Sequence, residues 1–179
     1  MIPVGYLLKR IAKKPTWLKT DQVEDLYSVS GCTSKDFSDY INYWKHNGFW
    51  LFNSPQDIYA VAEENEIDLT ETHMFYYETY EFQCYEDDPT WDSFEPESSF
   101  ETNVEKPKSK TLEGFDVVSF TNGNEPECSY LSCNHMAEEV KVNKHCLLET
   151  FEEAKALLEQ KKFENCEPGP CRIMAVYSV

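Results

Sequence analysis

Basic residues are missing from a long central part of this sequence. Residues 46–105 contain no lysine or arginine but sixteen aspartates and glutamates. The whole chain of 179 residues has a net charge of −17, so this one block accounts for nearly all of it. Phosphate recognition needs a basic surface, and such a chain is therefore not expected to bind nucleic acid directly. An acidic surface suits a basic protein partner or simply improves solubility.

Long apolar runs and glycine-rich loops are also absent. No stretch approaches the roughly 20 apolar residues of a membrane helix, which excludes an integral helical membrane protein. There are only six glycines, and none forms a phosphate-binding loop or a dinucleotide fingerprint. Hydrolase and metalloprotease signatures are missing as well. We therefore expect no cofactor, and the prior for an enzyme is lowered.

Cysteine is the residue type that carries the alternative chemistry. Five of the seven cysteines lie in the last third of the chain, beside His135 and His145: Cys128, Cys133, Cys146, Cys166 and Cys171. Thiolate and imidazole ligands suit zinc, but zinc sites usually contain a Cys-x2-Cys pair, which is missing here. The alternative hypothesis is a small cysteine-dependent enzyme or zinc-binding protein that uses this C-terminal Cys/His set.

The compartment is predicted from the N-terminus and the cysteine count. The first bases, Lys9 and Arg10, follow the short apolar stretch instead of preceding it, unlike a signal peptide. Disulfide frameworks normally use an even number of cysteines, and this chain has seven. We therefore expect a cytoplasmic protein with mostly reduced thiols. The sequence does not indicate an oligomeric state.

The hydrophobic pattern predicts a single α+β domain over residues 1–179, with an antiparallel sheet and helices packed on one face. No internal repeat is evident. The N-terminal part is predicted to be rich in helices, with residues 1–70 as a potential helical subdomain. The predicted helices are a basic segment over 5–13, one capped by Thr20, one capped by Ser34, one from Ser54-Pro55, a short one after Asn134 and one opened by the capping box Thr150–Glu153. The predicted strands cover 49–52, 73–85, 115–120 and 172–178.

A long acidic loop over about 86–111 is the predicted binding site. Its residues are mostly Pro, Ser, Glu, Asp and Lys, and loops of this length are usually functional or disordered. Aromatic side chains among the acids can anchor a partner that the charge attracts. The predicted partner-binding residues are Asp87, Asp88, Trp91, Asp92, Phe94, Glu95 and Glu97.

These observations favour a non-catalytic, acidic binding protein that inhibits or neutralises a basic protein partner. An immunity or antitoxin-type inhibitor of a basic toxin fits this chemistry, as does a protein that mimics the charge of nucleic acid. A third interpretation is an accessory domain whose acidity serves only solubility.

Overall fold

A five-stranded antiparallel sheet dominates the computed structural model, which describes residues 1–32, 46–82, 103–120, 125–169 and 171–179. The elements are β1 (Ile2–Arg10), β2 (Ala12–Lys13), β3 (Asp25–Leu26), α1 (Pro55–Glu64), β4 (Thr72–Phe82), β5 (Thr111–Phe120), β6 (Pro126–Ser129), α2 (Phe151–Glu159) and β7 (Cys171–Ser178), with a 3₁₀ turn at Met136–Glu138. The sheet is a curled half-barrel in the order β1, β4, β7, β5, β6, and β2 pairs separately with β3.

The prediction of a helix-rich N-terminal part is wrong, and the α+β class holds only loosely because two short helices accompany a large sheet. Residues 2–10 form β1 rather than a basic helix, and residues 21–32, which follow Thr20, contain no helix. The alternation of apolar and polar residues that indicates a strand was obscured in β1, because Lys9 is buried, with 2 % of its surface exposed, instead of facing solvent. The predicted strand over 49–52 is only a bridge from Phe52 to Tyr6. The helix predicted after Ser34 lies outside the described residues.

The capping signals place both α-helices correctly. The Ser54 hydroxyl accepts a hydrogen bond from Asp57 N at 3.2 Å, with proline at the first helical position. Thr150 and Glu153 form the expected capping box. Asn134 is followed only by the 3₁₀ turn. Among the described residues, no helix is long and apolar enough to cross a membrane.

Two copies of one structural unit build the sheet. Each unit runs from a long strand through a tight turn and a capped helix to a second long strand that pairs antiparallel with the first. The second strands, β4 and β7, pair with each other and join the units. Equivalent residues are Gly5 and Gly114, Asn47 and Asn143, Leu51 and Leu147, and Ser54 and Thr150. The fold therefore contains an internal structural repeat that is not visible in the sequence.

The tight turn before each helix crosses its own first strand at a glycine. The Asn47 side-chain amide donates to Val4 O at 2.8 Å, and that of Asn143 donates to Glu113 O at 2.7 Å. A Cβ on Gly5 would lie 2.6 Å from Phe52 O, and a Cβ on Gly114 would lie 2.7 Å from Leu148 O. Both glycines also have positive φ, of 139° and 148°, which disfavours any other residue.

We predict that Gly5→Ala and Gly114→Ala each lower the free energy of unfolding by about 2 kcal/mol or more, because both clash with backbone and strain φ. Urea denaturation followed by circular dichroism measures the change. Gly31→Ala is the matched control, since no atom of the described residues lies within 4 Å of its added Cβ. Equal stability of the Gly5 and Gly31 variants would contradict the crossing geometry.

Candidate functional site

The first unit presents an acidic face on α1 and the loop that follows it. Residues 55–71 contain six acidic residues and no basic residue. All six carboxylates are exposed, and Tyr59 is 51 % exposed beside them. The acidic face comprises Asp57, Tyr59, Glu63, Glu64, Glu66, Asp68 and Glu71. Of the ion pairs found in the described ranges, none uses these carboxylates.

The second unit provides an internal comparison, because α2 is the structural equivalent of α1. Residues 151–169 contain five acidic and three basic residues. Lys155 lies 3.7 Å from Glu159, and Lys162 lies 2.7 Å from Glu139. The same helix position is therefore largely charge-balanced in one unit and purely acidic in the other. Solubility alone does not require such an asymmetry between equivalent surfaces.

The loop site predicted from the sequence lies outside the described residues. This applies to all seven predicted partner-binding residues, Asp87, Asp88, Trp91, Asp92, Phe94, Glu95 and Glu97. Along the chain, this loop connects β4 of the first unit to β5 of the second. Residues 103–110, at its C-terminal end, are described and contain no regular element before β5.

Three cysteines from distant parts of the chain converge. Cys32 follows β3, whereas Cys128 lies in β6 and Cys133 follows it. Their sulfur atoms all lie within 4.8 Å of one another, and the Sγ atoms of Cys32 and Cys128 are 3.1 Å apart. Cys32 is exposed and the other two are partly buried. We call this group the thiol cluster.

The rest of the predicted Cys/His set is dispersed in the fold. Cys146 and Cys171 are buried core residues, and Cys166 is partly buried elsewhere. His135 packs against Trp17 with ring centroids 4.7 Å apart. The His145 ring stacks on Tyr27, and its Nδ1 lies 2.5 Å from Asp25 Oδ1. The histidines therefore do not join the thiol cluster.

The environment of Cys128, Cys133 and Cys166 disfavours their thiolate forms. Burial raises the pKa of Cys128, and the neighbouring thiols raise it further. Burial also raises the pKa of Cys133, which outweighs the hydrogen bond from Ser30. Burial raises the pKa of Cys166 to about 11. Thiols with raised pKa values are protonated at neutral pH, whereas a catalytic cysteine needs a lowered pKa.

A buried lysine lies next to the thiol cluster, on one face of the sheet. The Lys9 ammonium donates hydrogen bonds to three consecutive carbonyls, those of Ser28 at 2.8 Å, Val29 at 3.1 Å and Ser30 at 3.0 Å. These contacts hold the segment that leads to Cys32. The buried Lys9 thus helps to position the one thiol that comes from the first unit.

Asp116 in β5 is the acidic partner of this buried region. Its side chain is fully buried and accepts hydrogen bonds from Ser129 Oγ at 2.7 Å and from Val117 N at 2.9 Å. Burial raises the pKa of Asp116 to about 6, although the hydroxyls of Ser28 and Ser129 and the charge of Lys9 act in the opposite direction. The carboxyl is therefore half-protonated in mildly acidic solution.

A second buried carboxylate, Glu78 in β4, lies on the opposite face of the sheet. It accepts hydrogen bonds from Lys110 Nζ at 2.5 Å, Tyr76 OH at 3.0 Å and Tyr177 OH at 3.1 Å. Burial alone would raise its pKa, but the hydrogen bond and charge of Lys110 and the two phenols outweigh burial and lower the pKa of Glu78. Glu78 is thus a neutralised anion rather than a group tuned for proton transfer at neutral pH.

Sequence reasoning missed Lys9, Asp116 and Glu78 as members of buried clusters, and it missed Cys32 as a member of the thiol cluster. Each is brought to its partners by strand pairing or by loops that connect distant segments, so spacing along the chain carries no signal for it. The acidic face was signalled by the complete lack of Lys and Arg in residues 46–105, because that lack includes α1.

Comparison with known proteins adds no assignment: no protein-family model, no curated protein and no solved structure matches this chain.

We predict that Asp116→Asn flattens the pH dependence of stability. The folded-state pKa of about 6 lies above the ordinary 3.8, so the folded state holds this proton more tightly. The contribution of this group to the free energy of unfolding is full below about pH 4. It decreases as the pH rises from about 4 to about 6, and the total loss is at most about 3 kcal/mol. Urea denaturation across this range should show the loss in the wild type but not in the variant. Asp21→Asn, at an exposed position, is the control, and an unchanged slope in Asp116→Asn would contradict the assignment.

Proposed function

We propose that this protein is a non-catalytic, acidic binding protein that inhibits or neutralises a basic protein partner. The observation that carries the proposal is the charge asymmetry between the two units. Residues 55–71 have six exposed carboxylates, no basic residue and no ion pair within the described residues, whereas residues 151–169 have five acidic and three basic residues, of which Lys155 pairs with Glu159 and Lys162 pairs with Glu139. Two equivalent helices share the same fold constraints. A difference in surface charge between them is therefore best explained by what the surface binds.

The chemistry of the acidic face fits association driven by electrostatic steering. Complementary charge speeds the diffusional encounter by roughly 10- to 1000-fold at low salt. Tyr59, exposed among the carboxylates, offers an aromatic contact of the kind enriched at binding hot spots. Of the neighbouring aromatics, Trp50 is also 38 % exposed, just before α1. Charge would attract the partner and the aromatic rings would hold it.

The loop over about 86–111 would extend this surface. It is continuous in the chain with β4 and adds Asp87, Asp88 and Asp92, together with Trp91 and Phe94. An inhibitor of a basic toxin and a mimic of nucleic-acid charge both need such a surface. The partner in either case is a basic protein, and nucleic acid itself would be repelled.

The proposal includes a cytoplasmic location and a role without catalysis. The odd number of cysteines supports a reducing compartment, because disulfide frameworks use an even number. The raised pKa values of Cys128, Cys133 and Cys166 support a role in which these thiols are not nucleophiles.

The experiment is capture of a partner from host lysate on immobilised protein at low salt, followed by elution at high salt. We predict that one basic protein elutes, and that its association rate with the purified chain falls steeply as salt increases. The triple variant Glu63→Gln, Glu64→Gln, Glu66→Gln should slow this association about tenfold. The triple variant Asp87→Asn, Asp88→Asn, Asp92→Asn tests the loop in the same way.

The matched control is Glu149→Gln, Glu152→Gln, Glu159→Gln. It removes the same charge from exposed positions around α2, the equivalent helix. If association slows equally in this control, the effect comes from net charge alone, and the proposal that the acidic face is the specific binding surface is contradicted. Failure to retain any basic protein at low salt would contradict the proposed function itself.

A further inference from the structure

We propose that the thiol cluster of Cys32, Cys128 and Cys133 is a metal site for a thiophilic divalent cation, Zn²⁺. The three sulfur atoms lie within 4.8 Å of one another although Cys32 is about a hundred positions from the other two in sequence. Within the described part of the chain, these three cysteines form the group whose ligand atoms lie close enough together to hold a metal ion. This site is independent of the acidic face, and neither proposal requires the other.

The distances are close to those of a zinc-thiolate site. Zinc–sulfur bonds of about 2.3 Å in a tetrahedron place the sulfur atoms about 3.8 Å apart. The Sγ atoms of Cys32 and Cys128 are 3.1 Å apart, and no pair in the cluster exceeds 4.8 Å. The observed sulfur–sulfur distances differ from the tetrahedral value by about 1 Å or less. Small movements of the side chains would therefore bring all three sulfur atoms to the required separation. Cys32 is exposed on a turn, where such a movement costs little packing.

The identity of the ligand atoms selects the class of metal. Thiolates are soft ligands, which favour Zn²⁺ over the oxygen-preferring Mg²⁺ and Ca²⁺. A bound cation would replace the thiol protons and compensate the negative charge of the thiolates. The cluster contains two ligands from the segment 128–133 of the second unit and one from the first.

The neighbouring groups keep the ligands in place. Ser30 Oγ lies 3.6 Å from Cys133 Sγ, where its hydroxyl can donate to a thiolate. The Cys32 thiol donates to Glu127 O at 3.2 Å, and it would exchange this hydrogen bond for the metal when its proton is released. Lys9 fixes the carbonyls of residues 28–30 immediately before Cys32. These contacts resemble the outer shell that orients metal ligands in proteins. A zinc ion here would link the loops of the two units on one face of the sheet.

The sequence could not indicate this site, because its ligand spacing is unusual. Cys128 and Cys133 are five residues apart, and the third ligand precedes them by about a hundred residues. A Cys-x2-Cys pair is the usual signal for zinc in a sequence. Here the packing of the two units places Cys32 of the first unit beside Cys128 and Cys133 of the second.

The test is titration of the reduced full-length protein with Zn²⁺ alone by calorimetry, and with Co²⁺ as a spectroscopic substitute. We predict one ion per chain and a Co²⁺ spectrum with sulfur-to-metal charge-transfer bands. Cys32→Ser, Cys128→Ser and Cys133→Ser should each weaken Zn²⁺ binding by at least about 100-fold, more than the loss of an outer-shell partner causes. Cys166→Ser is the matched control, since this partly buried cysteine lies outside the cluster.

Circular dichroism of each variant separates loss of a ligand from loss of the fold, and exposed Cys32 is the variant least able to disturb packing. Absence of stoichiometric Zn²⁺ binding by the reduced chain would overturn the proposal. Binding that survives in Cys32→Ser, or that is lost equally in Cys166→Ser, would overturn it too. A Cys32–Cys128 disulfide that forms in air and persists in the presence of Zn²⁺ would assign the cluster to redox chemistry instead.

Discussion

The pairing of β4 with β7 is the interaction on which the rest of the structure depends. It joins two like units into one sheet, and the register places Tyr77 opposite Val176 at the centre. On one face of these strands, Glu78 receives the phenol of Tyr177 from the other unit. On the other face, the loops of the two units meet at the thiol cluster. Separating β4 from β7 would therefore break the hydrogen bond from Tyr177 to Glu78 and divide the sheet into its two units.

The repeat also explains how one small fold can carry two different surfaces. Both units keep the glycine crossing, the asparagine-anchored turn and the capped helix, because these features fix the backbone. Exposed positions on the helices are free of that constraint and have diverged in charge. The fold does not require the uniform negative charge of the acidic face, and we propose that this charge serves binding. The thiol cluster arises where the units meet and belongs to neither unit alone.

Local signals in the sequence were sufficient for α1, α2, β4 and β7, since caps and alternation are read from neighbouring residues. They failed for β1, where Lys9 and Arg10 suggested a basic helix. In the structure Lys9 is buried and donates to the carbonyls of residues 28–30. The repeat escaped notice because its equivalent positions share little more than glycine, asparagine and leucine. The sequence did not connect Cys32 with Cys128, because only the tertiary structure brings these two residues together. Of the candidate site, the charge asymmetry was readable from the sequence, but its location on one of two equivalent helices was not.

The most direct test of the central claim is hydrogen–deuterium exchange of the chain, free and in complex with the basic protein that it captures. The acidic face predicts slower exchange on binding in residues 55–71, with no change in residues 151–169 of the equivalent helix and loop. Because the two segments have the same fold, the second serves as an internal reference within one experiment. Protection of 151–169, or equal exchange of both segments in the free and bound states, would contradict the account.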